Sequence, residues 1–424
     1  MLPAVGSAQS ELSVQQSVPL AEFEQLRSEI SELRRQVDSQ SAPPTDLLAP
    51  PVDPQQIIRT GEFRGAFLIP GTDVSLRIGG YARGDVFYDT GYVATGIQLF
   101  PSAIALDGTP FAGSRGQTTI TGSQSRLNFD AQSTTEIGRL RGFVEMDFLQ
   151  DNVSPRLRHA FGEWQHIDTT LIAGRTWTTF MDPAALPFVV AETTAVGAVF
   201  RRQGMFRIEH ERSELTTVSF AIENPTSNDY TLPQPATDQP FGRLPDLIGS
   251  IRFADSDIGS LQIASMVRCI GFEDNVGQET LKAGWGLAVT SRVNVGEQDN
   301  IRMGVTGGSG IGSYLAGLGT DLSAAGPVVD GYRTLDAIGA YGAYQHFWCD
   351  ELFSNAYYGF SHVESTPLMP PKAGKVTENA GVNLIWSPRP TFGVGVEYTY
   401  GLREVQDGTS GANHRIQFTV QFGP

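Results

Sequence analysis

From residue 69 to residue 89 the chain reads IPGTDVSLRIGGYARGDVFYD, and its side chains alternate. Val74, Leu76, Ile78, Ala82, Val86 and Tyr88 occupy one register, and Ser75, Arg77, Tyr81, Arg83, Asp85 and Asp89 the other. A strand sends successive side chains to opposite faces, so one face is apolar and the other charged. The alternation is long enough for a tilted strand to cross a bilayer, which takes about 9–11 residues. It recurs downstream, near residues 123–133, 138–150, 156–167, 169–177, 205–213, 215–224, 247–255, 258–270, 280–295, 298–307, 335–349, 351–364, 375–387, 390–403 and 413–422. With residues 73–89 these make sixteen strands.

The connections sort by length. Residues 90–122, 151–155, 178–204, 224–246, 271–279, 308–334, 365–374 and 404–412 are the long ones, and tight turns such as 133–138, 213–214, 296–298, 349–351 and 387–390 lie between them. An up-and-down membrane barrel has short periplasmic turns and longer external loops. A soluble β-sandwich has no reason to sort its loops in this way. The expected fold is therefore all-β, a 16-stranded antiparallel transmembrane β-barrel over residues 69–424. The last strand, HRIQFTVQF (414–422), alternates as the first does. Aromatic residues at strand ends, among them Tyr88, Trp164, Trp177, Trp348, Trp386 and Tyr398, are expected in girdles at the two membrane interfaces.

Upstream of the barrel the period changes. Residues 11–41 read as a helix, with Ser17 as cap and Pro19 in its first turn. Phe23, Leu26, Ile30, Leu33 and Val37 form a heptad seam flanked by glutamates and arginines. So short a helix is unstable alone in water. It fits a parallel coiled coil carried by an already oligomeric body; the alternative is a helix packed on the protein's own surface. Residues 42–68 form a proline-rich linker, and residues 1–10 (MLPAVGSAQS) resemble the tail of a signal sequence with a small-residue cleavage pattern ending at Ala8.

Composition narrows the partners. The net charge of −16 argues against nucleic acid. Only Lys282, Lys372 and Lys375 of the 30 basic residues are lysine, and arginine carries the planar fork that matches carboxylates and phosphates. The two cysteines are too few for a disulfide framework. The six histidines show no metal-ligand spacing, and the glycine-rich stretch 304–319 lacks the helix and acidic partner of a dinucleotide site. No cofactor, no metal and no enzymatic nucleophile–base set is expected.

Several stretches resemble one family, the DcaP-type trimeric outer-membrane transporters of Gram-negative bacteria. They are the segment at 69–89, SQSRLNFDA (123–131), RLRHAFGEW (156–164), AGRTWTTFMDPAALP (173–187), AIENP (221–225), RTLDAIGAYGAYQHFW (333–348), NLIWSP (383–388) and NHRIQF (413–418). The resemblance implies a homotrimer in outer-membrane lipid and lipopolysaccharide, a periplasmic N-terminal coiled coil, and passive uptake of small anionic solutes such as dicarboxylates. A general non-selective porin, or a structural tether from outer membrane to peptidoglycan, is the alternative.

In such a barrel the third long connection, 178–204, is expected to fold into the lumen and narrow it, with Asp182 and Glu192 facing the passage; the alternative is an external flap. Alternation puts Arg77, Tyr81, Arg83, Asp85, Arg126, Asn128, Arg139, Arg141, Arg156, Arg158 and Arg175 on the lumen face, with Arg83, Arg126, Arg141, Arg158 and Arg175 as the eyelet. Arginine rings select anions by field and by bidentate hydrogen bonds. The competing reading pairs these arginines with neighbouring carboxylates and makes them purely structural.

Overall fold

The computed structural model describes residues 24–25, 27–34, 59–112, 116–149, 154–191, 193–225, 230–231, 239–273, 277, 279–318, 322–324, 332–366 and 369–423. The chain forms two units, Met1–Ile57 and Ile58–Pro424. In the first, residues 24–25 and 27–34 are helical, and the Ser31 hydroxyl donates to the Arg27 carbonyl at 2.8 Å. Ile30 and Leu33 of the expected seam are exposed on this single chain. Phe23, Leu26 and Val37 lie outside the described residues.

The second unit is a closed barrel of sixteen long antiparallel strands among the described residues. They are β1 (Ser75–Asp89), β2 (Arg126–Thr135), β3 (Gly138–Asp147), β4 (Arg156–His166), β5 (Thr169–Trp177), β6 (Arg202–Ser213), β7 (Thr216–Glu223) and β8 (Asp246–Asp255), followed by β9 (Gly259–Glu273), β10 (Glu279–Val295), β11 (Asp299–Ser309), β12 (Asp336–Cys349), β13 (Leu352–Val363), β14 (Gly374–Arg389), β15 (Phe392–Val405) and β16 (Ser410–Phe422). Each pairs with its neighbours in sequence, and β16 returns to β1, from Arg415 opposite Asp89 to Phe422 opposite Ala82. The strand ends lie within three residues of those expected from alternation. Gln117–Thr121 prolongs the β2 position at the outer end of β1. Arg59–Thr60 and Phe67–Leu68 form a hairpin on the first residues of β1, where the sequence suggested linker.

Burial is inverted relative to a soluble protein. Ile78, Val144, Val267, Val305, Val382 and Ile416 are exposed on the outer wall, while Asn300, Asn355, Asn383 and Gln417 are buried inside. That is the expected partition for strands with lipid on one side and polar contents on the other. No helix among the described residues is long and apolar enough to span a membrane.

The barrel interior is partly filled. Residues 93–106 of the first long connection lie inward, with Val93, Leu99 and Ile104 forming a small buried cluster. The third connection, 178–201, and residues 310–318 of the sixth pack together around Phe180, Ile311, Tyr314 and Leu315. The described part of the glycine-rich stretch, 304–318, is thus the end of β11 followed by an infolded turn. Gly317 is held at φ +99°, where a Cβ would lie 2.8 Å from the Thr377 hydroxyl.

Arg415 joins the closing seam to the first of these loops. It is 1% exposed, donates to Asp89 at 2.8 and 2.7 Å and to the Gly96 carbonyl at 3.0 Å, and lies over the Phe87 ring. Removing one member of a buried pair leaves an uncompensated charge, at a cost of about 3–5 kcal/mol. Arg415→Ala is therefore expected to lower the temperature at which the folded barrel converts to the unfolded band on a denaturing gel. An unchanged conversion temperature would count against the seam as a stabilising contact.

Candidate functional site: a lumen divided by an infolded loop

The third connection runs across the interior from β5 to the far wall. Its neck closes where the Thr178 amide donates to the Arg201 carbonyl at 3.0 Å. A one-turn helix at Pro183–Ala185 follows, capped by Asp182, whose Oδ1 accepts from the Ala184 amide at 3.0 Å. Beyond it the far wall supplies partners for the loop backbone. Arg302 donates to the Leu186 carbonyl at 2.6 Å and Asn383 to the Phe188 carbonyl at 3.0 Å. Glu397 accepts from the Val190 and Ala191 amides at 2.7 and 3.2 Å. Asn379 accepts from the Val196 amide at 2.8 Å and donates to the Thr194 carbonyl at 3.0 Å. Gly197 comes so close that a Cβ would lie 2.2 Å from the Phe360 carbonyl oxygen. Non-helical backbone is tolerated at membrane depth when it is paired within protein or faces water.

The sixth connection secures the loop from behind. Phe200 donates to the Tyr314 carbonyl at 3.0 Å, and Ala316 donates to the Ala198 carbonyl at 2.9 Å. The Tyr314 hydroxyl donates to Asp246 at 2.7 Å. The loop is therefore an internal wall held from both sides.

Two polar cavities flank this wall. One, about 540 Å3, lies between β2–β5 and residues 186–194 of the loop. Arg126, Arg141, Glu145 and Arg158 line its barrel side; Leu186, Phe188 and Thr193 line its loop side. The other, about 430 Å3, lies between the loop base and β6–β9.

The first cavity's barrel wall has a layered charge arrangement. Asp130 accepts from Arg141 at 2.9 Å and from Arg77 at 3.1 Å. Asp147 accepts from Arg156 and Arg158, both at 2.7 Å. Glu145 accepts from Arg158 at 2.8 Å and lies 3.7 Å from Arg126. The side chains of Asp130 and Asp147 are 2% and 0% exposed, while those of Arg77, Arg156, Arg141 and Arg126 are 41%, 31%, 26% and 23% exposed. Asp130 and Asp147 form the floor and the guanidinium groups of Arg77, Arg126, Arg141 and Arg156 lean over it into the lumen, while Arg158, at 4%, is more buried than its partner Glu145, at 13%. Tyr81 lies under Arg126, and Phe143 and Phe161 lie beside Arg141. Asn128 shares the inward face but leaves its Oδ1 without a partner against Gly79.

Three expected site residues have other placements. Arg175 pairs across the ladder with Ala160 and Gly204, in the row that begins at outward-facing Val144. Cross-strand partners share a face, so Arg175 points out of the barrel. Asp182 is buried as the cap of the loop turn and lines the second cavity, not the first. Arg83 is bound by its own neighbour Asp85 at 2.8 Å and by the Val190 carbonyl, so it anchors the loop. Glu192 lies outside the described residues.

His159 escaped the alternation because β4 carries a bulge. Glu145 faces His159 while Met146 faces Leu157, so Arg158 is the extra residue and both Arg158 and His159 turn inward. His159 bonds the Thr176 hydroxyl at 3.0 Å, and Trp177, expected in a girdle, packs against it instead. Trp348 and Trp386 are exposed on the outer wall as expected. Among the described residues no group of three His, Cys, Asp or Glu side chains is placed to hold a metal ion.

A family model described as DcaP outer membrane protein matches residues 69–423. The chain belongs to the DcaP outer membrane protein family. Its barrel resembles the crystal structure of the outer membrane channel DcaP of Acinetobacter baumannii, with a TM-score of 0.70, 20% identity, and coverage of 83% of this chain and 97% of that one. OmpT of Vibrio cholerae matches at TM-score 0.52 and 13% identity over 84% of this chain and 99% of its own. An anion-selective porin from Comamonas acidovorans matches at TM-score 0.56 and 8% identity over 83% of this chain and 100% of its own. At these identities the structural likeness is one of fold. No curated protein matches the chain. Family and fold together make this DcaP-family member a barrel protein of the Gram-negative outer membrane.

Glu397 accepts from two loop amides, Asn383 and Thr399. Glu397→Ala is expected to release the middle of the loop and give a larger, noisier single-channel conductance in planar bilayers. A steady conductance equal to that of the unsubstituted channel would show that Glu397 does not hold the wall.

Proposed function

We propose that the chain is a passive channel that prefers small hydrophilic anions, carboxylates and dicarboxylates among them. The observation that carries this reading is the layering of charge along β1–β4: buried carboxylates behind, partly exposed guanidinium groups in front. The 540 Å3 cavity is lined by three guanidinium groups, those of Arg126, Arg141 and Arg158, against one acid, Glu145. Forked donors bind carboxylates in pairs, and several weak sites in series allow both entry and release. The net charge of −16 does not oppose this. Screening confines each charge to about 8–10 Å at physiological salt, so the local wall decides selectivity. The outward Arg175 would serve a neighbouring subunit or a lipopolysaccharide phosphate in a homotrimer, whose N-terminal helices would meet as a periplasmic coiled coil.

The test is the reversal potential of purified channels in a salt gradient. The unsubstituted channel is expected to reverse on the anion side. A unit charge about 8 Å away in water is worth about 0.5 kcal/mol, roughly twofold in permeability ratio. Arg126→Ala and Arg141→Ala should each shift the ratio toward cations by about that factor, and Arg175→Ala should leave it unchanged. Cation preference in the unsubstituted channel, or equal shifts from all three substitutions, would defeat the reading. A non-conducting barrel would favour a structural tether.

A further inference from the structure

Every arginine on β1–β4 has a carboxylate within 3.7 Å. Two arginines elsewhere on the inner wall have none among the described residues. Arg292 of β10 and Arg302 of β11 are direct cross-strand partners. Arg302 turns inward, since it holds the Leu186 carbonyl of the loop. Cross-strand partners share a face, so Arg292 turns inward beside it. Arg302 donates to neutral oxygens: Asn300 Oδ1 at 2.8 Å, the Leu186 carbonyl at 2.6 Å and Gln345 Oε1 at 3.0 Å. These occupy three of its five N–H donors and leave its charge uncompensated. Arg292 makes no hydrogen bond among the described residues; its Nε is buried, and its two terminal nitrogens stay accessible. The surroundings add no acid. Ser260 stands opposite Arg292 on β9, and Ala343 stands opposite Arg302 on β12. The inward neighbours along the two strands are Thr290, Asn294, Asn300 and Gly304.

Like charges directly opposite one another destabilise a sheet, and here no side chain offsets them. Opposed positions lie about 4.5–5.5 Å apart at Cα, so two forks on long side chains can converge on one point. The group that fits there carries several acceptor oxygens on a single centre and more than one negative charge. We propose that Arg292 and Arg302 form a binding site for doubly charged tetrahedral oxyanions, inorganic phosphate and sulfate. Guanidinium forks bind such oxygens in pairs. Arg302 is held in position by its three neutral acceptors, and Arg292 closes on the anion from the next strand. A dicarboxylate divides its charge between two ends and offers the pair only one of them. A monocarboxylate brings a single charge. Leu186 also lines the first cavity, so the site adjoins the loop edge that bounds that cavity. It is separate from the β1–β4 wall that carries the anion preference, and binding is read without conduction. Failure of either reading therefore leaves the other standing.

The test is calorimetric titration of the full-length protein in detergent, with phosphate, sulfate, succinate and acetate as probes. At about pH 8 phosphate is expected to bind about tenfold tighter than succinate, the factor that one charge-assisted hydrogen bond supplies, with acetate weaker still. Phosphate loses its second charge as pH falls through about 6. At about pH 5 its affinity should drop about tenfold, while that of sulfate, doubly charged at both values, should hold. Arg292→Gln removes a fork that no other side chain contacts, and should weaken phosphate and sulfate about tenfold. Arg175→Ala, on the outer wall, should leave both unchanged. Succinate binding as tightly as phosphate overturns the single-centre geometry. Phosphate and sulfate binding unchanged by Arg292→Gln overturns the site, and so does a phosphate affinity indifferent to pH. If Arg292→Gln gives no folded barrel on a heat-modifiability gel, the solute and pH series on the unsubstituted protein decides alone.

Discussion

Pairing of loop backbone inside a membrane barrel is the constraint on which the rest of the structure depends. Residues 178–191 and 193–201 cross the interior of a barrel whose strands face lipid on their other side, and backbone at that depth is tolerated only where it is paired within the protein or faces water. The far wall answers group by group. Glu397 takes two consecutive amides, Asn379 takes one amide and returns a donor to a carbonyl, and Arg302 and Asn383 reach two more carbonyls. These side chains come from β11, β14 and β15, far from the loop in sequence. Half of the barrel is therefore a cradle for the loop, and solute space is left near the other half.

That division explains the unequal use of charge. On the cradle side, polar side chains are consumed by backbone: Glu397 is 1% exposed and Asn379 2%. On the β1–β4 side the loop presents mainly Leu186, Phe188 and Val189, which ask for no partner. Arg77, Arg126, Arg141 and Arg156 there lean into water while Asp130 and Asp147 stay beneath them. On the proposed reading, pairing does not neutralise the wall as seen by a solute, because depth orders the two signs.

Alternation made the strands readable. Rows such as Val144 outside and Glu145 inside need only a period of two, and each strand end fell within three residues of its expected place. The same rule failed where the ladder departs from it. The bulge at Arg158 turned His159 inward, and no composition signal marks a bulge in RLRHAFGEW. Arg175 shows the opposite failure. It sits two residues from Trp177 in a stretch that reads as polar, yet its ladder partners Ala160 and Gly204 place it outside. Asp182 looked like a selecting charge in the loop, but the proline after it starts a turn that needs a cap. The inward folding of residues 93–106 and 310–318 was not legible, since loop sequences carry no period that betrays where they rest.

The sequence by itself determined the barrel and its strand number, because both follow from local period and spacing. Only the tertiary structure decided which inward arginines reach water, which anchor the loop, and that one lumen holds two chambers. Those outcomes depend on contacts such as Arg83 with Val190 and Glu397 with Val190 and Ala191. They join residues more than a hundred positions apart, and no local pattern encodes such a distance.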